Sequence, residues 1–382
     1  MDNIAGNNSP LRWVLHGSVA FLVVLWLIPT LGLLVSSFRT GDQITTGGWW
    51  RSLMTAEQNL TLRTAAPSTQ QLVDGMYVIE GSLATDNKPL NIRLWGVSSR
   101  AIDDFVPGDT AQLRKGGTIV VSAAGHYRMQ HSQPFTGSRG VRVFVSASMA
   151  PEFTLDNYRK VLFDPKNVEG MAQAFLSTMT VTIPATIIPI LVAAFAAYAL
   201  AWMQFPGRAL LIAFIVGLLV VPLQLALIPL LKFHLYIGIG KGFIGAWLAH
   251  TAFGMPLAIY LLRNYMVGLP KDIIENARID GATDFQIFVK LILPLSFPAL
   301  ASFAIFQFLW TWNDLLVAKV FLIDASGQTV VMTAKLVELL GTRGGNWEIL
   351  ATSAFVSIAV PLLVFFSLQK YLVRGLLAGS VK

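Results

Sequence analysis

Residues 275–294 read ENARIDGATDFQIFVKLILP, carrying five charged side chains between long apolar runs. Pro270 suits the first turn of a helix, and Asp272 stands where a carboxylate complements the positive end of the helix dipole. That helix is predicted to run to about Asp280. Gly281 supplies a residue able to take positive φ, and Thr283 with Gln286 three positions later has capping-box spacing. The pattern is helix, turn, helix. In the second helix Phe285, Phe288, Val289 and Ile292 follow i, i+3, i+4, i+7 and predict one apolar face, opposite Asp284, Gln286 and Lys290. Periodicity alone is satisfied by an interfacial amphipathic hairpin without any special function.

The chain around the hairpin belongs in lipid. It has 382 residues, is 54% hydrophobic and 13% charged, and has a mean hydropathy of +0.60, far from a soluble composition. Six stretches approach the roughly 20 apolar residues that a membrane helix needs: Val14–Val35, Thr178–Met203, Ala209–Leu231, Phe243–Leu262, Leu291–Trp310 and Ala351–Leu368. The first is longer than a signal-peptide core and lacks a clear small-residue cleavage site, so it is expected to be retained. Prolines within the spans predict kinked helices packed in a bundle. Lys and Arg in the short connections favour both termini and the hairpin in the cytoplasm. The net charge of +7 fits this orientation bias and not nucleic-acid binding, since no run of five to eight basic residues exists. With no cysteine there is no disulfide, thiolate metal site or cysteine nucleophile.

Residues 39–170 are too long for a simple connector. MYVIEGSL, NIRLWGVSS, GTIVVSAAGHY and GVRVFVSAS read as strands separated by turn residues. PEFTLDNYRKVLF regains a helical pattern, starting at Thr154 or Asp156, before the chain re-enters the membrane. The expected organisation is 1–38, cytoplasmic N-terminus and first span; 39–170, β-rich extracytoplasmic insert; and 171–382, five further spans with the hairpin at 270–294.

Glu275, Ala277, Asp280, Gly281, Ala282, Leu293 and Pro294 resemble the E-A-A, D-G-A and L-P elements of binding-protein-dependent ABC importer permeases. Asn276 stands where that family commonly has alanine, and Leu291 where isoleucine is common. FTLDNYRKVL, AAYALAWMQFPGR, the Trp312-Asn313-Asp314 triplet and the tail QKYLVRGLLAGSVK are similar to the carbohydrate branch, specifically its maltose-type G subunits. The large insert after the first helix resembles the subunits that serve α-glucosides. The resemblance implies a type I importer permease fold of six transmembrane helices, all-α apart from a β-rich periplasmic insert between helices 1 and 2, in a bacterial inner membrane.

It also implies partners and mechanism. A periplasmic solute-binding protein delivers sugar, a second permease completes a heterodimeric pore, and two ATPase subunits supply ATP and Mg sites absent from this chain. Glu275, Asn276, Ala277, Asp280, Gly281, Ala282, Leu293 and Pro294 then form the ATPase-coupling hairpin, and the tail with Gly375, Gly379 and Lys382 is a second candidate contact. The loop with Gly341, Arg343, Gly344 and Gly345 is a candidate for entering the binding protein, although its composition also suits an ordinary glycine-rich turn. No G-x-x-x-x-G-K-[ST] occurs; GIGKGF at Gly238–Phe243 lacks the first glycine and the hydroxyl. The chain is thus expected to be a transport subunit and not an enzyme.

Sugar needs hydrogen-bonding groups and flat aromatic faces. Gln307, Trp312, Asn313 and Asp314 are the candidates, set in FAIFQFLWTWND at the outer end of the fifth span. An aromatic belt accounts for the tryptophans more readily than sugar stacking, and helix packing accounts equally for the polar residues. His126 and His131 form too sparse a pair for a metal site, so none is expected. Two other classes compete. An ion-coupled carrier calls for midplane carboxylates, which the spans lack. A membrane-anchored enzyme would use Asp103, Asp104, His126 and His131 of the insert, which form no G-x-S-x-G or H-E-x-x-H arrangement. An importer for a non-sugar solute is the nearer alternative.

Overall fold

The computed structural model describes residues 10–84, 90–164, 170–323, 327–342 and 346–377. The chain divides into two compact units, one formed within Met1–Asn157 with Gly345–Ala351, the other within Tyr158–Gly344 with Thr352–Lys382.

In the first unit an apolar helix, Pro10–Ser37, precedes eight strands: β1 (Ala56–Arg63), β2 (Gln71–Val73), β3 (Met76–Ser82), β4 (Ile92–Gly96), β5 (Thr110–Gln112), β6 (Thr118–Val121), β7 (His126–His131) and β8 (Arg142–Met149). They form two antiparallel sheets, ordered β1-β8-β4 and β2-β3-β7-β6-β5. Alternate side chains point into a shared core, where Trp95, Ile79, Ile119, Met129, Val143 and Val145 are almost fully buried. The Trp95 indole N–H is satisfied by the Val106 carbonyl at 3.0 Å. Asp74 and Gly75 both take positive φ, the backbone of a tight hairpin between β2 and β3.

The four predicted strand segments are present, with one correction. GTIVVSAAGHY is not one strand but the β6–β7 hairpin, turned at Gly125 with φ +86° and closed by its N–H on the Ser122 carbonyl at 2.9 Å. β1, β2 and β5 were not predicted. The helix expected from Thr154 or Asp156 spans Asp156–Leu162.

In the second unit, Met171–Trp202 packs along Phe243–Val267 through small residues: Ala193, Ala194, Ala197 and Ala258 are all buried. Small residues let helix backbones approach closely, which is how apolar helices associate where lipid removes the hydrophobic drive. Two predicted spans are not continuous. Ala209–Leu231 is broken into Arg208–Leu218 and Leu223–Tyr236, bent by 109°; the fifth is broken into Asp284–Leu295 and Phe297–Trp312, bent by 70°. Pro222 accounts for the first break: it lacks an N–H and disfavours helical geometry in the residue before it. Leu219, Val220 and Val221 instead bond three residues back. The second break falls at Ser296, two residues before Pro298. Among the described residues four helices are long and apolar enough to cross a membrane, or six if each bent pair is one span.

Candidate functional site

The hairpin forms as its sequence dictates. Lys271–Ile279 is helical, and Gly281 follows at φ +82°. Thr283 then opens a second helix with a complete capping box: the Gln286 N–H donates to Thr283 Oγ1 at 3.3 Å, and the Thr283 N–H donates to Gln286 Oε1 at 2.9 Å. The turn is closed by the Asp280, Gly281 and Ala282 amides on the Asn276, Arg278 and Ala277 carbonyls.

A nine-residue helix is too short to persist alone in water. Ile274, at 2% exposure, is its only buried residue and joins the cluster of Leu262, Met266, Ile287 and Phe288. Ala277, Ala282 and Leu293 pack half-buried against the same cluster. Glu275, Asn276, Asp280 and Gly281 are exposed. The Arg278 guanidinium meets Asp284 Oδ1 at 3.1 Å, and the Tyr198 hydroxyl lies 3.4 Å from the same oxygen. Both charged side chains are half-exposed, so the pair adds at most about 1 kcal/mol.

The predicted apolar stripe requires correction. Ile287, Phe288 and Ile292 are buried, whereas Phe285 is 65% exposed and Val289 is also exposed. The cause is a π turn at Phe288–Ile292, where the Leu293 N–H reaches the Phe288 carbonyl five residues back. Pro294 has no N–H to offer the Lys290 carbonyl and would crowd it in an α-helix, and the wider turn accommodates this. The exposed edge therefore combines Glu275, Ile279 and Phe285, with Ile279 at 82% exposure. Ile274 and Ile287, which hold the hairpin, were missed because each reads as one more isoleucine on an amphipathic helix.

The polar residues near the end of the Phe297–Trp312 helix are engaged by the protein. Gln307 is buried, its amide donating to the Ala185 carbonyl at 3.0 Å and the His250 carbonyl at 3.3 Å. A Cβ on Gly254 would collide with Gln307 Oε1, so the glycine makes room for it. Trp312 does not stand in an interfacial belt. It is buried, donates from its indole to the Ser357 carbonyl at 2.8 Å and stacks on Phe308, whereas Trp310 is exposed. Asn313 is exposed, with Nδ2 donating to the Leu309 carbonyl at 2.8 Å. Asp314, beyond the helix end, accepts the Ala318 N–H at 3.1 Å and lies 3.9 Å from His250 Nε2. Burial raises its carboxyl pKa, opposed by backbone N–H groups of residues 315–318.

Gly341, expected in a flexible loop, lies within the Met332–Thr342 helix; Arg343, Gly344 and Gly345 lie outside the described residues. Gly375 lies in the Trp347–Leu377 helix, and Gly379 and Lys382 lie outside the described residues.

Residues 171–377 match the family described as binding-protein-dependent transport system inner membrane component. The alpha-glucoside transport system permease protein of Rhizobium meliloti is 57% identical over 381 residues, covering 98% of each chain. That alignment therefore includes the β-rich segment. An osmoprotective compounds uptake permease of Synechocystis is 57% identical over 231 residues, 60% of this chain and 76% of its own. A trehalose transport system permease of Mycobacterium tuberculosis is 32% identical over 60% of this chain and 82% of its own.

Proposed function

This chain belongs to the binding-protein-dependent transport system inner membrane components, and on that premise we propose that it carries α-glucosides or closely related disaccharides across the inner membrane. It is an ABC transporter permease, a transport subunit and not an enzyme. The single observation that supports the substrate class is 57% identity along 98% of a permease described as serving alpha-glucosides. Maltose, trehalose and sucrose are the sugars to test first.

In the proposed assembly six spans, each bent pair counting as one, cross the membrane with both termini inside and the β-rich unit outside. A second permease completes the pore, two separate ATPase subunits bind ATP and Mg, and a periplasmic binding protein delivers the sugar. Glu275 and the exposed turn around Gly281 meet the ATPase, while Asn276, Ala277, Asp280 and Ala282 shape that surface and Leu293 and Pro294 set its pitch against the spans. The hairpin is suited to this work because its charged edge is exposed while its inner edge is seated in the membrane-helix cluster through Ile274 and Ile287. Movement of the hairpin is thereby passed to the helices, and the pore alternates between outward and inward access. Asn313 is the candidate sugar contact, with Gln307, Trp312 and Asp314 positioning the helix end that bears it. The tail from Gly375 through Gly379 to Lys382 and the segment from Gly341 through Arg343, Gly344 and Gly345 remain candidate contacts for the ATPase and the binding protein.

The test is a gene deletion followed by uptake of labelled maltose, trehalose and sucrose, with an amino acid and phosphate as controls. Selective loss of disaccharide uptake, restored by the intact gene but not by Glu275→Lys, is the expected result. Persisting sugar uptake with loss of a control solute would refute the carbohydrate assignment.

A further inference from the structure

The β-rich unit holds a cleft of about 510 Å³, within the range of small-molecule sites. Ile79 and Met129, both almost wholly buried, are among its inner walls. One sheet contributes Arg142 and Phe144 of β8, and the other contributes the β5–β6 turn with Arg114 and Lys115. The 133–141 loop adds Arg139 and Phe135. Thus four basic side chains line one concave site, and none of its lining residues is Asp or Glu. None of the four makes an ion pair with any described residue, whereas Arg93 and Arg128 on the same unit are paired with Glu57 and Glu80. Gathering like charges around one concave surface builds a positive potential in it.

The cleft is also pre-formed. The turn bearing Arg114 and Lys115 is closed by the Leu113 N–H on the Gly117 carbonyl and the Gly116 N–H on the Leu113 carbonyl, each at 3.0 Å. Gly116 and Gly117 both take positive φ, and a Cβ on Gly116 would strike the His131 ring. The facing loop is tied by the Val141 N–H to Thr64 Oγ1 at 2.9 Å and the Phe135 N–H to Gln70 Oε1 at 2.8 Å. Gly140 crosses so close to the Thr64 carbonyl that no side chain fits there. Fixed walls spare a ligand the cost of ordering them. Between the cations, Ser98, Ser99, Gln133 and Thr136 offer groups that can pair with hydroxyls, and Phe135 offers a ring face.

We propose that this cleft binds a sugar-sized organic anion, one carrying a phosphate or carboxylate beside hydroxyl groups. The cations take the anionic group, since charge-assisted hydrogen bonds from Arg and Lys are the strong ones, and the neutral polar groups take the hydroxyls. The site is built from residues of the β-rich unit alone, and its occupancy is measured by binding and not by transport, so its failure and that of the transport reading are distinguishable.

The test uses the full-length chain with its partner subunits in nanodiscs of zwitterionic lipid, titrated calorimetrically with glucose 6-phosphate, glucuronate and glucose. Saturable binding of one or both anions, weakened by salt and absent for glucose, is expected, and the pattern identifies the group preferred. Arg114→Ser and Arg139→Ser, both exposed positions, are expected to weaken that binding about tenfold each, the scale of one lost charge-assisted hydrogen bond. Arg93→Ser, outside the cleft, is expected to leave it unchanged. Equal binding of glucose and the anions, no anion binding, or anion binding indifferent to both cleft variants would each overturn the proposal. Retention of an acidic partner protein without small-anion binding would overturn it in favour of a protein-docking surface.

Discussion

Replacing Ile274 with alanine removes the single fully buried side chain by which the Lys271–Ile279 helix is seated. Truncating a buried isoleucine to alanine costs about 2–5 kcal/mol, and a helix this short has no stability of its own to fall back on. At about 1.4 kcal/mol per factor of ten, the lower bound already raises the open population of the hairpin about 30-fold. The amides to follow are those of Asp280, Gly281 and Ala282, each bonded to a carbonyl of this helix. Hydrogen exchange on the purified complex is expected to speed up at these amides by about 30-fold or more, while the Met171–Trp202 helix keeps its protection. Ile279→Ala is the control: its side chain is 82% exposed, so exchange is expected to change by less than about threefold, in line with helix propensity alone. Exchange in Ile274→Ala within about threefold of the parent would refute the reasoning, because the hairpin would then be held by something other than this side chain.

Three further outcomes are expected. Gly281→Val places a branched side chain at φ +82°, costing about 1–2 kcal/mol in the turn; transport should fall with the membrane level of the chain unchanged, and full transport would count against a rigid turn. Gly254→Ala displaces the Gln307 amide from the Ala185 and His250 carbonyls, and loss of such buried bonds is worth about 1–3 kcal/mol; a lowered thermal midpoint, partly restored by adding Gln307→Ala, is the expected signature. Tyr127→Phe deprives the Ala65 N–H of its acceptor at 2.6 Å; a loss of about 1–3 kcal/mol should appear in denaturation of the β-rich unit, and an unchanged midpoint would mean that water replaces the hydroxyl.

The hairpin was legible because each of its devices is local: Pro270, Gly281 and the Thr283–Gln286 pair act within four residues of one another or of the turn they make. The seating of that hairpin was not legible, because burial of Ile274 depends on Met266 and Leu262 from another helix. The π turn escaped for a similar reason: a proline reports that an α-helix must yield, but not whether it bends, breaks or widens. Pro222 breaks its segment, whereas Pro184 and Pro189 lie inside a continuous helix. In the β-rich unit, β1 was overlooked although Gln58, Leu60 and Leu62 alternate inward against exposed Glu57, Asn59 and Thr61. Two leucines in eight residues fall short of the aromatic and β-branched content that marked β3, β4 and β8. Trp312 looked like an interfacial anchor because a tryptophan near a span's end usually is one, and its partner Ser357 is 45 residues away.

A π turn contains one residue more than the α-helix it interrupts, so at Phe288–Ile292 the length of the chain and the phase of its helix come apart. Removing one residue there would leave a continuous α-helix and still join the same two ends. Because the widened turn absorbs the extra residue, Glu275 and Phe285 would keep the faces they now present; removing a residue from a regular stretch of the helix would instead swing everything before it around the axis by about 100°. The turn is therefore a place where the chain has taken up one residue without re-aiming the face that the hairpin presents, a slack that the regular helix on either side does not have.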